Sequence, residues 1–137
     1  MVTADSACDP TQDVTAASTA LNAGAVAVVG HTCGGTISRD QGIYNAAGVP
    51  IVAPSAGTPL LTEQGYTTTF RAIAGGDAEA VLMATHFRQS LGLDAVAIVD
   101  WGPCEWSKDA FSNTFTSLGG TITSRHTVAS TDAPRPR

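Results

Sequence analysis

Short uninterrupted apolar runs are the strongest constraint on how this chain folds. Ala25-Val26-Ala27-Val28-Val29-Gly30 and, later, residues 94–100 lack the polar alternation of a strand with one wet face. A strand covered on both faces reads this way, and such strands belong to parallel sheets. Each run is separated from the next by a segment with apolar residues at helical spacing. Asp9-Pro10-Thr11-Gln12 opens the first of these, with Asp9 as the N-cap and Pro10 at the first helical position, where a missing N–H costs nothing. Val14, Ala17 and Leu21 then follow at helical spacing, and Gly24 ends the helix.

The same rhythm continues. His31-Thr32-Cys33-Gly34-Gly35-Thr36 reads as a glycine-bearing turn, followed by a helix over about residues 38–47 that Gly48 ends. Residues 49–53 form the next strand, and Pro54-Ser55-Ala56-Gly57-Thr58-Pro59 the loop after it. One helical turn over 60–64 and a strand over 67–73 come next. Ala80, Met83, Ala84, Phe87 and Leu91 mark a third long helix, and residues 94–100 a buried strand. The loop Trp101-Gly102-Pro103-Cys104-Glu105-Trp106 follows, then a helix carrying Phe111, Phe115 and Leu118, then a strand over 121–128. Strands alternating with helices predict an α/β fold of βαβ units with parallel sheets. Ligands in such sheets bind beyond the carboxyl ends of the strands. Three loops meet that description: residues 32–36, 54–58 and 101–106. The tail Asp132-Ala133-Pro134-Arg135-Pro136-Arg137 reads as disordered.

Composition narrows the function classes. A net charge of −5, with no cluster of Lys or Arg, excludes a nucleic-acid surface. No apolar run is long enough to span a bilayer. Met1-Val2-Thr3-Ala4-Asp5 has neither a basic nor an apolar leader region, so no signal peptide is expected in this chain. No phosphate loop, dinucleotide fingerprint or metal-ligand cluster stands out, and no cofactor is expected. Cys104 with His31, His86 or His126 would be the only thiol-and-base set, but nothing in the spacing supports it. His31 falls in a turn, His86 on a helix and His126 on a strand, which favours structural roles. Cys8 and Cys33 each sit at the edge of an element. They are either two reduced thiols or a bridge closing a loop of roughly 25 residues, worth about 3.5 kcal/mol.

Asp5-Ser6-Ala7-Cys8-Asp9-Pro10-Thr11-Gln12, followed by Val29-Gly30-His31-Thr32-Cys33, resembles the paired-cysteine signature of the leucine/isoleucine/valine-binding proteins, which are type I periplasmic binding proteins. Tyr44, Gly48-Val49-Pro50, Pro54-Ser55-Ala56-Gly57-Thr58-Pro59-Leu60-Leu61-Thr62, Phe70-Arg71 and the strand ending at Asp100 continue the likeness in family order. The likeness covers about residues 5–128.

The resemblance implies a partial two-lobed fold that closes on its ligand by hinge motion. Residues 1–72 would belong to lobe one and 73–137 to lobe two. Cys8 and Cys33 match the family's disulfide pair, which implies an oxidising, exported location. The implied function is solute binding, not catalysis: the extracellular receptor of an ABC-type amino-acid uptake system, with a membrane permease as partner in the full-length context. The ligand contacts carried over are Gly34, Gly35, Thr36, Ser55, Ala56, Gly57 and Thr58. Gly34 and Gly35 stand where the family carries serines, which leaves backbone N–H groups to hold an anion. Trp101 or Trp106 stands near the family's ligand-covering tyrosine and would form an apolar or cation–π wall; core packing is the alternative. These departures put branched-chain amino acids themselves in doubt and leave other amino acids, amides and small aromatic acids open. Against the family pattern the chain is expected to lack the first strand and helix of lobe one and most of lobe two. The ending at Asp132-Ala133-Pro134-Arg135 then reads as a frameshift, a premature stop or a boundary. A non-binding remnant is therefore the alternative function, with a small thiol enzyme behind it. Exposed sheet edges would favour homo-oligomers.

Overall fold

The computed structural model describes residues 1–100 and 105–128. Trp101 and Cys104, and the tail expected to be disordered, lie outside the described residues. The chain divides into two compact units, Met1–Gly75 and a second beginning at Gly76.

In the first unit, α1 (Pro10–Asn22) starts as the sequence dictates. The Asp9 carboxylate accepts from the backbone N–H groups of Thr11 and Gln12, both at 2.9 Å. This occupies two of the donors that a helix start leaves without partners. Gly24, at φ +77°, ends the segment in a conformation that a side chain would strain. The buried face of α1 is Asp13, Ala16 and Ala17, whereas Val14 is exposed, so the apolar stripe is rotated from the one the spacing predicts. Strands β1 (Val28–Val29), β2 (Ile51–Ala53) and β3 (Thr69–Arg71) form a parallel sheet in that order. Val28 lies opposite Ile51, and Ile51 opposite Thr69. Helices α2 (Gly34–Ala46) and α3 (Leu60–Glu63) make the connections. Ala17, Ile37, Tyr44, Ile51, Ala53, Ala56 and Leu61 form the core.

Two expectations change here. The run 25–30 is not covered on both faces: β1 spans two residues, and Val26 and Val29 are 85% and 81% exposed. Among the described residues β1 pairs with β2 only, so its outer edge is open. A groove of about 710 Å³ follows that edge, with Val26, Val28, His31 and Tyr44 in its wall. The second change is at α2, which starts four residues before the predicted position. Gly34, Gly35 and Thr36 form its first turn instead of a loop. Apolar spacing gives no sign of a helical turn made of two glycines and a threonine.

In the second unit, α4 (Gly76–Thr85) runs into a widened turn, His86–Ser90. Strand β4 (Ala95–Asp100) pairs in parallel with β5 (Thr121–Thr127) across α5 (Glu105–Ser117), with a register irregularity between Val96 and Ala97. Phe87 meets Phe111 edge-on at 5.9 Å, and Phe111 stacks on the buried Phe115 at 5.7 Å. The expected buried strand is half open: Val96, Ile98 and Asp100 are partly covered, but Ala95, Ala97 and Val99 face out. Among the described residues no helix is long and apolar enough to cross a membrane.

Candidate functional site

The carboxyl ends of β1 and β2 bring two chain segments together. After β1 the chain turns through His31 and Thr32 to Cys33, the N-cap of α2. Cys33 is bonded to Cys8, with Cα atoms 5.6 Å apart, which decides between the bridge and the free thiols. The bridge ties the loop ahead of α1 to the start of α2. Cys33 gives α2 no side-chain cap, and its carbonyl already accepts from the N–H groups of Thr36 and Ile37. The N–H groups of Gly34 and Gly35 belong to the helix start and have no acceptor one turn back. The helix dipole adds partial positive charge there.

The loop after β2 closes against this helix start. A Cβ at Gly34 would sit 3.6 Å from Thr58 Cγ2, an ordinary contact, so the two segments touch. The Ser55 hydroxyl donates to the Thr32 carbonyl at 3.1 Å. Arg71, at the end of β3, donates through Nη1 to the Thr58 carbonyl at 3.0 Å and through Nε to the Ile73 carbonyl at 3.2 Å. Three consecutive strand ends thus fix one surface. Gly34, Gly35, Ser55, Gly57 and Thr58 lie on or beside it. Three candidates are buried. Ala56 is in the core, Thr36 has its hydroxyl donating to the Cys33 carbonyl at 3.1 Å, and Thr58 is 8% exposed with its carbonyl accepting from Arg71. Trp106 lies in the first turn of α5, not in a loop, and is half-buried.

Directly behind the Cys33 turn lies a polar cluster that the sequence reading did not find. His31 is 8% exposed, Asp13 on α1 is fully buried, and Asp40 on α2 is 1% exposed. His31 Nδ1 lies 2.5 Å from Asp13 Oδ1 and 3.8 Å from Asp40 Oδ2. On the other side of the ring, Nε2 is 2.9 Å from the Tyr44 hydroxyl, with the two rings edge-on. Asp40 is raised from 3.8 to about 7, first by burial and then by the adjacent Asp13 carboxylate, with His31 and Arg39 opposing the shift only in part. Burial also works against ionising Asp13, but Thr36, Asp40, His31 and Ser6 around it outweigh that and hold it below 3.8. Tyr44 is pushed up to about 12, by burial and then by the two carboxylates.

Asp13 and His31 are 18 residues apart in the chain, so no linear motif links them; with Asp40, their ligand atoms lie within 4.8 Å of one another. One signal was present. Asp13 precedes Ala16 and Ala17 by one helical turn, and Asp40 precedes Tyr44 by one, so each carboxylate falls on an apolar stripe.

No family model matches the chain. By sequence it is 42% identical over 69 residues to the leucine-, isoleucine-, valine-, threonine-, and alanine-binding protein of Pseudomonas aeruginosa, covering 50% of this chain and 18% of that protein. It is 31% identical over 99 residues to the Leu/Ile/Val-binding protein of Citrobacter freundii, covering 72% and 27%. Among solved structures, an ABC transporter substrate-binding protein from Desulfitobacterium hafniense in complex with Leu matches at TM-score 0.77 and 28% identity, over 93% of this chain and 38% of that one. A solute-binding protein of an R. palustris ABC transporter, in complex with benzoate, matches at TM-score 0.85 over 96% and 37%; its 20% identity speaks for the fold alone. The chain spans about a quarter or less of the length of these sequence relatives.

Proposed function

We propose, for a chain related by sequence to the Leu/Ile/Val-binding proteins and folded like the type I periplasmic solute-binding proteins, that its first unit carries the carboxylate-binding surface of an exported solute receptor. The supporting observation is the meeting of the α2 start with the loop after β2. The N–H groups of Gly34 and Gly35, without acceptors one turn back, would hold an anion, and the Ser55–Thr58 segment, braced by Arg71 and by the Ser55 hydroxyl bond to Thr32, adds main-chain groups. The ligands named for the structural relatives, leucine and benzoate, share a carboxylate and an apolar body and differ in the ammonium group. We read the solute class as small apolar carboxylates, with amino acids of the branched-chain kind first. In the whole protein the receptor would hand its solute to a membrane permease of an ABC-type uptake system, and binding, not catalysis, would be its activity. Trp101 and Trp106 remain proposals as an aromatic wall of the second unit.

The engagement of Thr36 favours a second reading, in which this chain by itself has lost useful affinity. Its hydroxyl is committed to Cys33, and the two glycines offer only backbone donors. Isothermal titration of the oxidised chain with leucine, threonine, alanine and benzoate tests both readings. Saturable heat with at least one carboxylate, and none with the matching amide, supports carboxylate recognition. Equal binding of acid and amide refutes it, and no heat with any solute supports the second reading.

A further inference from the structure

We propose that Asp13, His31 and Asp40 form a closed site for a first-row divalent cation of the zinc class. One ligand comes from α1, one from the turn after β1 and one from α2, and their donor atoms all lie within 4.8 Å of one another. Imidazole nitrogen with two carboxylate oxygens suits zinc and its neighbours, whereas magnesium and calcium favour all-oxygen sets.

The observation that points to a ligand is the set of buried oxygens without donors. Asp40, 1% exposed, has no hydrogen-bond partner for Oδ1 or Oδ2 among the described residues, and Asp13 Oδ2 has none either. Buried carboxylate oxygens without partners are costly. A proton shared by the two carboxyls would serve two of these three oxygens. A cation placed among them draws on all three and offsets both negative charges. His31 is prepared for the same role. In the metal-free site Nδ1–H donates to Asp13 Oδ1; a cation would displace that proton, and with the remaining proton on Nε2 the ring would donate to the Tyr44 hydroxyl, 2.9 Å away. A hydrogen bond from the far ring nitrogen is the usual way a protein orients a ligating imidazole. The groove along β1, with His31 and Tyr44 in its wall, gives a path from solvent. Bound there, the cation would pin α1, β1 and α2 beside the Cys8–Cys33 bridge and so hold the first turn of α2 in place.

The test uses the oxidised 137-residue chain, stripped with chelator and dialysed. Zinc is titrated against a chromophoric chelator, and cobalt is followed by visible absorption. The expected result is a single equivalent bound with Kd below roughly 100 µM. Cobalt should give four-coordinate absorption without a thiolate charge-transfer band, which excludes Cys104 as a ligand. Thermal unfolding should also move upward with zinc. D40N and H31Q should each weaken binding by about tenfold or more, while H86Q/H126Q keeps it. A chain folded by circular dichroism that takes up no zinc in this range overturns the proposal, whatever the variants do. So does binding that persists in folded D40N or that disappears in H86Q/H126Q.

Discussion

Cutting the Cys8–Cys33 bridge should loosen the first unit by an amount that follows from the chain itself. The two cysteines are 25 residues apart, and the loop-closure entropy lost by the unfolded chain makes such a link worth about 3.5 kcal/mol. A domain's whole stability is about 5–15 kcal/mol, so this is a large share. With a urea dependence near 1–1.5 kcal/mol per molar, the midpoint should fall by about 2.3–3.5 M. C8A/C33A is the better variant, because a serine at position 33 would sit at the N-cap of α2 and return about 1 kcal/mol. Urea unfolding by far-ultraviolet circular dichroism gives the midpoint, and amide exchange locates the loss. Exchange should rise across α1 and α2, whose starts the bridge joins. An unchanged midpoint in C8A/C33A, or faster exchange confined to residues after Gly76, would refute the reasoning.

The remaining predictions concern the buried carboxylates, a tight glycine and the open edge. Because the folded pKa of Asp40, about 7, lies above 3.8, its contribution to stability is complete below about pH 4 and is lost as pH rises through 7; Asp13 acts oppositely, below 3.8. The chelator-treated chain should therefore lose up to about 4 kcal/mol between about pH 4.5 and 8. D40N should flatten that slope in urea titrations, and a wild-type chain equally stable at both pH values would contradict it. A Cβ at Gly120 would overlap the Phe115 ring, so G120A should destabilise the second unit by about 1–3 kcal/mol, read as a lower urea midpoint. The exposed β1 edge with Val26 and Val29 predicts self-association by light scattering, reduced in V26K/V29K. A wild-type monomer at high concentration would speak against it.

Local chemistry explains which features were legible in the sequence. Asp9 and Pro10 mark the start of α1, and Gly24, Gly48 and Gly119, all at positive φ, mark where elements end, because cap and turn preferences act within a few residues. The βα order and parallel pairing follow from the alternation of apolar runs and helical spacing. Burial was less legible. The runs at 25–30 and 94–100 look like covered strands, yet Val29 and Val99 are open, since coverage depends on neighbouring elements that a run cannot specify. The loop after β2 was readable from its position between β2 and α3. The cluster of Asp13, His31 and Asp40 was not, because three separate segments have to fold before those side chains meet. The early start of α2 escaped for a related reason. Gly34 and Gly35 carry no helical preference, and Cys33 at the N-cap is bonded to a residue 25 positions away.

Backbone amide NMR of the oxidised chain during titration with leucine, and separately with benzoate, bears most directly on the surface where the α2 start meets the loop after β2. Saturable shifts are predicted at Gly34, Gly35, Ser55, Gly57 and Thr58, with smaller changes elsewhere. Resonances there that stay fixed while others move, or shifts that follow the amide analogues equally well, would contradict a carboxylate site built on those strand ends.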